Sequence, residues 1–268
     1  MAQPESTSPS LRQVLGRLGL LIGITYALVL TSFWLPPVPL DSGVALAAFW
    51  VAHSGGAHGL PYVALALMLA LALRPDRELT IRRRVIEGAL ITVIGVAALG
   101  GGARINEHLL KPSFGVPRPN IVELARRGKL GTTPARFYAL GDKRARSSYL
   151  VKRLRALGRG ALALDPRIRA HWAEETGFSF PSGHSFAALC TATFFLGLAL
   201  MLVRGRLRWL FYALAPWALA VCFSRPILRV HSPTDISVGA LEGILTGSVA
   251  LLIAWTALGR RAVVSSAR

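Results

Sequence analysis

Two histidines, one aspartate and three fixed cations fall in three short polar strings along an otherwise apolar chain. The strings are Lys111-x6-Arg118-Pro119, Pro181-Ser182-Gly183-His184 and Ser224-Arg225-x5-His231-x3-Asp235. Together they hold what is needed to grip a phosphate and attack it. Phosphoryl transfer spreads negative charge over three equatorial oxygens, so cations and amides already in place supply much of the catalysis. An arginine clamps two oxygens at once, whereas lysine acts as a point charge. Each string adjoins a long hydrophobic run, where a charged group is expensive and marks function.

The last string reads as a helix start. Ser232 is the N-cap, Pro233 takes the first helical position and Asp235 falls in the first turn. His231 then lies just outside the helix with Asp235 one turn on, where the carboxylate can accept a hydrogen bond from one imidazole nitrogen. The other nitrogen is left as a neutral nucleophile, and the carboxylate steadies the cation formed on attack. Taken alone, the pair fits a helix cap beside a surface histidine equally well; Arg225 and the other strings favour catalysis. Pro181-Ser182-Gly183-His184 also reads as a capped helix start. Ser182 caps, Gly183 lets backbone N–H groups approach an anion, and His184 can donate a proton to a leaving oxygen.

These elements must be held by a membrane bundle. Mean hydropathy is +0.48, and 53% of residues are hydrophobic while 16% are charged. That is too apolar for an ordinary soluble chain. A span needs about 20 apolar residues, and six candidates meet or approach this: Leu18–Leu35, Leu60–Leu73, Val85–Leu110, Ser185–Val203, Trp209–Phe223 and Ile236–Leu258. The first lacks a small-residue cleavage site and reads as a retained span. The Gly-interrupted stretch Asp41–His58 reads as interfacial rather than as a seventh span. The expected fold is therefore all-α, with six transmembrane helices and a small helical outer domain.

Lys and Arg outnumber Asp and Glu by 31 to 13. The arginines cluster at the ends of apolar runs, a pattern that fits membrane topology and anionic lipid rather than nucleic acid. Arg12 and Arg17, then Arg74 to Arg84, Arg204 to Arg208, and Arg260 with Arg261 all fall on one side of a six-span chain. The positive-inside rule makes that side cytoplasmic, with both termini, residues 1–17 and 259–268, in the cytoplasm. The three strings then share the outer face, a coincidence independent of how they were found. The outer loop 112–180 carries 14 basic and 5 acidic residues, but loops longer than about 60 residues escape the rule. Within it, Thr133-Pro134 and Asp165-Pro166 are helix starts and Ser148–Leu157 is a basic amphipathic stretch ending at Gly158. Its basic face could gather anionic headgroups or simply be solvated.

The three strings resemble the type 2 phosphatidic acid phosphatase superfamily, whose signature they match without departure. The stretch His171–Phe180 further resembles the bacterial phosphatidylglycerophosphatase branch of it. The resemblance implies His231 as a nucleophile forming a phosphohistidine, Asp235 as its orienter, and His184 as general acid and then base. It also implies a phosphate cradle of Lys111, Arg118, Ser182, Gly183 and Arg225, with no metal and no cofactor. The expected activity is hydrolysis of lipid phosphate headgroups, phosphatidylglycerophosphate to phosphatidylglycerol foremost and undecaprenyl diphosphate as a further substrate. The partners implied are a lipid phosphate and the bilayer of a bacterial inner membrane, with neither nucleic acid nor an obligatory protein partner. A lipid phosphotransferase or a dedicated undecaprenyl-diphosphate phosphatase would use the same residues. A relic binding protein would not need the paired histidines, and six spans exclude a soluble haloperoxidase.

Other polar residues read as structural. His53, His58, His108 and His171 are expected to be structural or solvated, Arg104 and Arg229 to snorkel to the interface, and Cys190 and Cys222 to be small buried hydrophobes. Glu242 lies seven residues after Asp235, so on the same helix face and about 10 Å deeper. It either pairs with a polar group between helices or tunes the lipid's route.

Overall fold

A computed structural model of the chain describes residues 9–75, 80–158 and 161–266, with side chains described up to Leu258. Among the described residues every regular element is helical. Helix α1 (Leu11–Leu30) starts on a reciprocal capping box between Ser10 and Gln13 and buries Val14, Leu18, Ile22, Thr25 and Val29, a stripe at helical spacing. It begins seven residues ahead of the expected span. Helices α2 (Gly43–Gly55) and α3 (Leu60–Ala72) are bent 61° from one another across residues 56–59. Helix α2 packs on α12 (Leu214–Ile227) and on α9 (Pro166–Glu174).

Helix α4 (Ile81–Ile105) is extended by one π-turn over Asn106–Leu110 and by α5 (Lys111–Phe114), ending at Gly115 in the left-handed region, φ 59°. Four short helices come next: α6 (Pro119–Arg126), α7 (Pro134–Tyr138), α8 (Lys143–Ala156) and α9. Thr133 and Asp165 cap α7 and α9 as their spacing predicts, whereas α8 starts five residues before Ser148, on the Asp142 cap. These helices share a buried apolar cluster with α2 and the residues after α12, including Ala48, Ile121, Leu124, Phe137, Leu150, Trp172 and Leu228.

Helix α10 (Gly183–Leu202) is buried along nearly its whole length, as a helix that is apolar all round must be when it forms the centre of a bundle. Around it pack α1, α4, α12 and α13 (Pro233–Ser266), the short α11 (Arg208–Tyr212) leading into α12. Among the described residues five helices are long and apolar enough to cross a membrane, and the bent α2–α3 pair makes a sixth if it counts as one span. Leu20, Ile24, Leu65, Val93 and Val249 face outward, where hydrocarbon is their solvent.

The closest approach is between α10 and α13. Gly239, Gly243 and Gly247 recur every four residues on α13, and a Cβ on any of them would collide with backbone atoms of Ser182, Phe186 or Cys190. Small residues at this spacing let two helix backbones touch inside a membrane. This contact fixes the N-terminal ends of α10 and α13 side by side, with the Ser182 N–H donating to the Asp235 carbonyl at 2.9 Å.

Candidate active site

The three strings fall at the end of α4–α5, the start of α10, the end of α12 and the start of α13. Alternation of helix direction brings these ends together, while the arginine clusters lie at the opposite ends of the same helices.

His231 precedes α13 and is buried, 2% exposed. Its Nδ1 lies 3.5 Å from Oδ2 of Asp235. The same oxygen accepts the Ser232 N–H at 2.7 Å, and Ser232 Oγ accepts the Asp235 N–H at 3.1 Å. This reciprocal cap holds the carboxylate still while it faces the imidazole. Nε2 stands 3.1 Å from Nη1 of Arg118. A guanidinium only donates, so Nε2 is the acceptor and the proton is assigned to Nδ1, toward Asp235. Burial and the neighbouring Arg118 and Arg225 charges hold the His231 imidazole well below its ordinary pKa of 6.5, so it is neutral with a lone pair on the nitrogen away from Asp235.

Arg118 and Arg225 are both buried, and Arg225 is fully enclosed. Arg118 donates to the carbonyls of Gly177 (3.0 Å) and Val230 (3.2 Å), and its backbone N–H donates to the Tyr138 hydroxyl. Between the two guanidiniums lies Glu175, 2.8 Å from Arg118 Nη2 and 2.6 Å from Arg225 Nη2. A carboxylate bridging two arginines has the oxygen spacing that a phosphate would exploit. Although burial opposes ionisation, Arg118 and Arg225 hold the Glu175 carboxyl well below its ordinary range. Arg225 Nε has no hydrogen-bond partner among the described residues, leaving a buried donor available to an anion.

Ser182 caps α10, accepting from the N–H and the hydroxyl of Ser185 at 3.4 and 3.1 Å. A Cβ on Gly183 would stand 3.9 Å from Lys111 Nζ, which places that ammonium over the positive end of α10. Lys111 is ion-paired with Glu107 at 2.6 Å across the π-turn. His184, in the first turn, lies within electrostatic reach of Arg225, Glu175 and His171. All eight residues singled out by spacing thus converge. No group of three or more His, Cys, Asp or Glu among the described residues is arranged to hold a metal ion.

Several participants were not assigned from the sequence. Glu175 is the foremost, and Glu107 is another. His171, expected to be structural or solvated, stands 3.4 Å from Arg225 Nη1, and burial pushes its pKa down to about 4. Arg229 does not snorkel; it pairs with Glu123 at 2.6 Å in a left-handed conformation, φ 57°. Glu242 accepts from Asn106 Nδ2 at 2.9 Å, so it has the interhelical polar partner expected of a carboxylate in a span. His184 and His231 open onto different cavities. His184 helps line one of about 420 Å³ beside α2 and α9, and His231 one of about 330 Å³ beside Pro36 and Pro233.

An all-helical bundle with helices long and apolar enough to span a membrane, gathering two histidines and two buried arginines at one end, is an integral membrane protein by its architecture. A match over residues 87–258 makes the chain a member of the PAP2 superfamily. Phosphatidylglycerophosphatase B of Escherichia coli is 33% identical over 162 residues, which are 60% of this chain and 59% of that protein. The Phosphatidylglycerophosphatase B of Haemophilus influenzae is 31% identical over 162 residues, 59% of this chain and 61% of that protein. The aligned region therefore spans about three fifths of the curated relatives.

Proposed function

We propose that the chain is a membrane lipid phosphatase that works through a phosphohistidine on His231. The observation that carries this reading is the neutral Nε2 of His231, backed by Asp235 at 3.5 Å from Nδ1 and facing Arg118. Nε2 attacks phosphorus as the bond to the lipid oxygen breaks, and His184 gives that oxygen its proton. Asp235 steadies the imidazolium. His184 then takes a proton from water, which attacks the phosphohistidine and releases inorganic phosphate and neutral His231. Lys111, Arg118, Arg225 and the amides behind Ser182 and Gly183 hold the equatorial oxygens. Incoming phosphate must share or replace the Glu175 carboxylate between the two arginines.

Membership of the family and relatives named Phosphatidylglycerophosphatase B support phosphatidylglycerophosphate as the first substrate; undecaprenyl diphosphate, second, rests on the resemblance of the three strings alone. A site at the ends of the spans lets acyl or prenyl tails stay in lipid while the headgroup enters the cradle. The arginine clusters support an orientation with residues 1–17 and 259–268 cytoplasmic. The loop 112–180 then caps the site on the periplasmic face of an inner membrane. The mechanism asks for neither metal nor cofactor, and the site asks for no protein partner.

The test is phosphate release by purified protein in detergent with EDTA, from both lipids in parallel, with His231→Ala as the blank. Release that survives chelation and disappears in the variant and with vanadate supports the reading; release abolished by EDTA contradicts the metal-free mechanism. Phosphate appearing on an added lipid alcohol, rather than free, turns the assignment to a phosphotransferase.

A further inference from the structure

We propose that the cavity beside His184 contains a second anion subsite, formed by Lys143 and Arg167 with the stacked pair His53 and His58. It takes the phosphoryl group that the lipid keeps after hydrolysis. The inference rests on the phosphatase reading and adds to it the chemistry of the leaving side: a headgroup with a second phosphate close to the scissile one.

In-line displacement puts the leaving group opposite the nucleophile. His231 is the nucleophile and His184 the proton donor, so the departing oxygen lies within reach of His184. The rest of the leaving group, attached through that oxygen, occupies the cavity His184 lines rather than the one lined by His231. At about 420 Å³ this cavity is within the range of small-ligand sites, roughly 300–1,000 Å³.

Its wall is basic. Lys143 and Arg167 both line it, both are exposed, and among the described residues neither side chain is ion-paired. Each falls in the first turn of its helix, α8 or α9, where a cation opposes the helix dipole; an anion between them removes that conflict. His53 and His58 stack with centroids 5.1 Å apart and planes 11° apart, adding donors at the mouth. Two carboxylates also line the cavity. Glu175 is committed to Arg118 and Arg225, leaving Glu174 in the wall to offset the two cations, with Glu107, paired to Lys111, also within electrostatic reach of Lys143. A monophosphate lipid with no second phosphate gains nothing from this wall. A diphosphate, or a phosphodiester a glycerol away, does.

The experiment compares three lipids on the wild type and on the double variant Lys143→Ala, Arg167→Ala, both in detergent. The KM for phosphatidylglycerophosphate and for undecaprenyl diphosphate should rise about tenfold, the loss of two charge-assisted contacts, while that for phosphatidate stays unchanged. A rise for undecaprenyl diphosphate, with or without one for phosphatidylglycerophosphate, supports the subsite; a rise for phosphatidylglycerophosphate alone contradicts the spacing that methylenediphosphonate probes and overturns it. An equal rise for all three, or for none, overturns it. A second arm does not depend on catalysis. In the His231→Ala protein, methylenediphosphonate should bind about tenfold more tightly than inorganic phosphate, by calorimetry. Adding the double substitution should abolish the difference. Equal affinities in the His231→Ala protein overturn the subsite, even where the wild type hydrolyses no lipid and the phosphatase reading itself fails.

Discussion

The Nδ1 of His231 and the Oδ2 of Asp235 are 3.5 Å apart, and the same oxygen caps α13 through the Ser232 N–H. The carboxylate thus has two duties that substitution can separate. Asparagine at 235 keeps an oxygen for the cap and loses the charge that stabilises the imidazolium. Asp235→Asn is expected to lower kcat by roughly 10²–10⁴-fold while shifting thermal stability by no more than about 1 kcal/mol. Phosphate release and thermal unfolding in detergent check the two halves.

Glu175 holds two buried arginines together, and removing its charge leaves both uncompensated. Glu175→Gln is expected to cost about 3–5 kcal/mol of stability. Because the folded-state carboxyl is held below its ordinary value of 4.5, this contribution is fully present above that pH. It is lost as pH falls through the folded value. The gap in thermal midpoint between wild type and variant should therefore be wide at neutral pH and narrow in acid.

Gly56 follows α2 against His184, the proposed proton donor. A Cβ there would lie 2.7 Å from His184 Nε2, so Gly56→Ala must push the imidazole aside. Misplacing a catalytic group by such an amount costs on the order of 10–100-fold in rate. The expected signature is a fall in kcat with KM little altered, measured under saturating lipid.

The acid limb of the kcat/KM profile reports the free enzyme. His231 must be neutral to attack, and its pKa is depressed well below 6.5. Activity is therefore retained as pH falls through 6.5 and is lost only at the lower folded value, once the substrate's own ionisation near about pH 6 is accounted for. An acid limb at the ordinary histidine value would contradict this. Histidine NMR gives a parallel check, since His171 should titrate at about 4.

The proposed site was legible in the sequence because its residues sit in short local strings: His231 to Asp235 holds a helix cap and the proposed catalytic pair in the same few residues. The helices were legible from hydropathy, and Thr133-Pro134 and Asp165-Pro166 fixed two starts in the outer loop. The contacts that bring the strings together were harder to read. The Gly239, Gly243 and Gly247 stripe does lie in the sequence at the small-residue spacing of helix contacts, yet only the partner backbone at Ser182, Phe186 and Cys190 reveals its target. Glu175 lies in the His171–Phe180 stretch singled out above, but its role could not be read there, since that role comes from Arg118 and Arg225, both more than forty residues away in sequence. The bend between α2 and α3 likewise depends on α2 finding a place against α12.

The central claim is a phosphoryl group on His231. The most direct measurement incubates the protein with lipid labelled with radioactive phosphorus at the terminal phosphate, quenches it in alkali, and maps the label by peptide analysis. The account predicts label on the peptide containing His231, stable in alkali and labile in acid, and absent from His231→Ala. Label that is acid-stable, or that persists in His231→Ala, would contradict it.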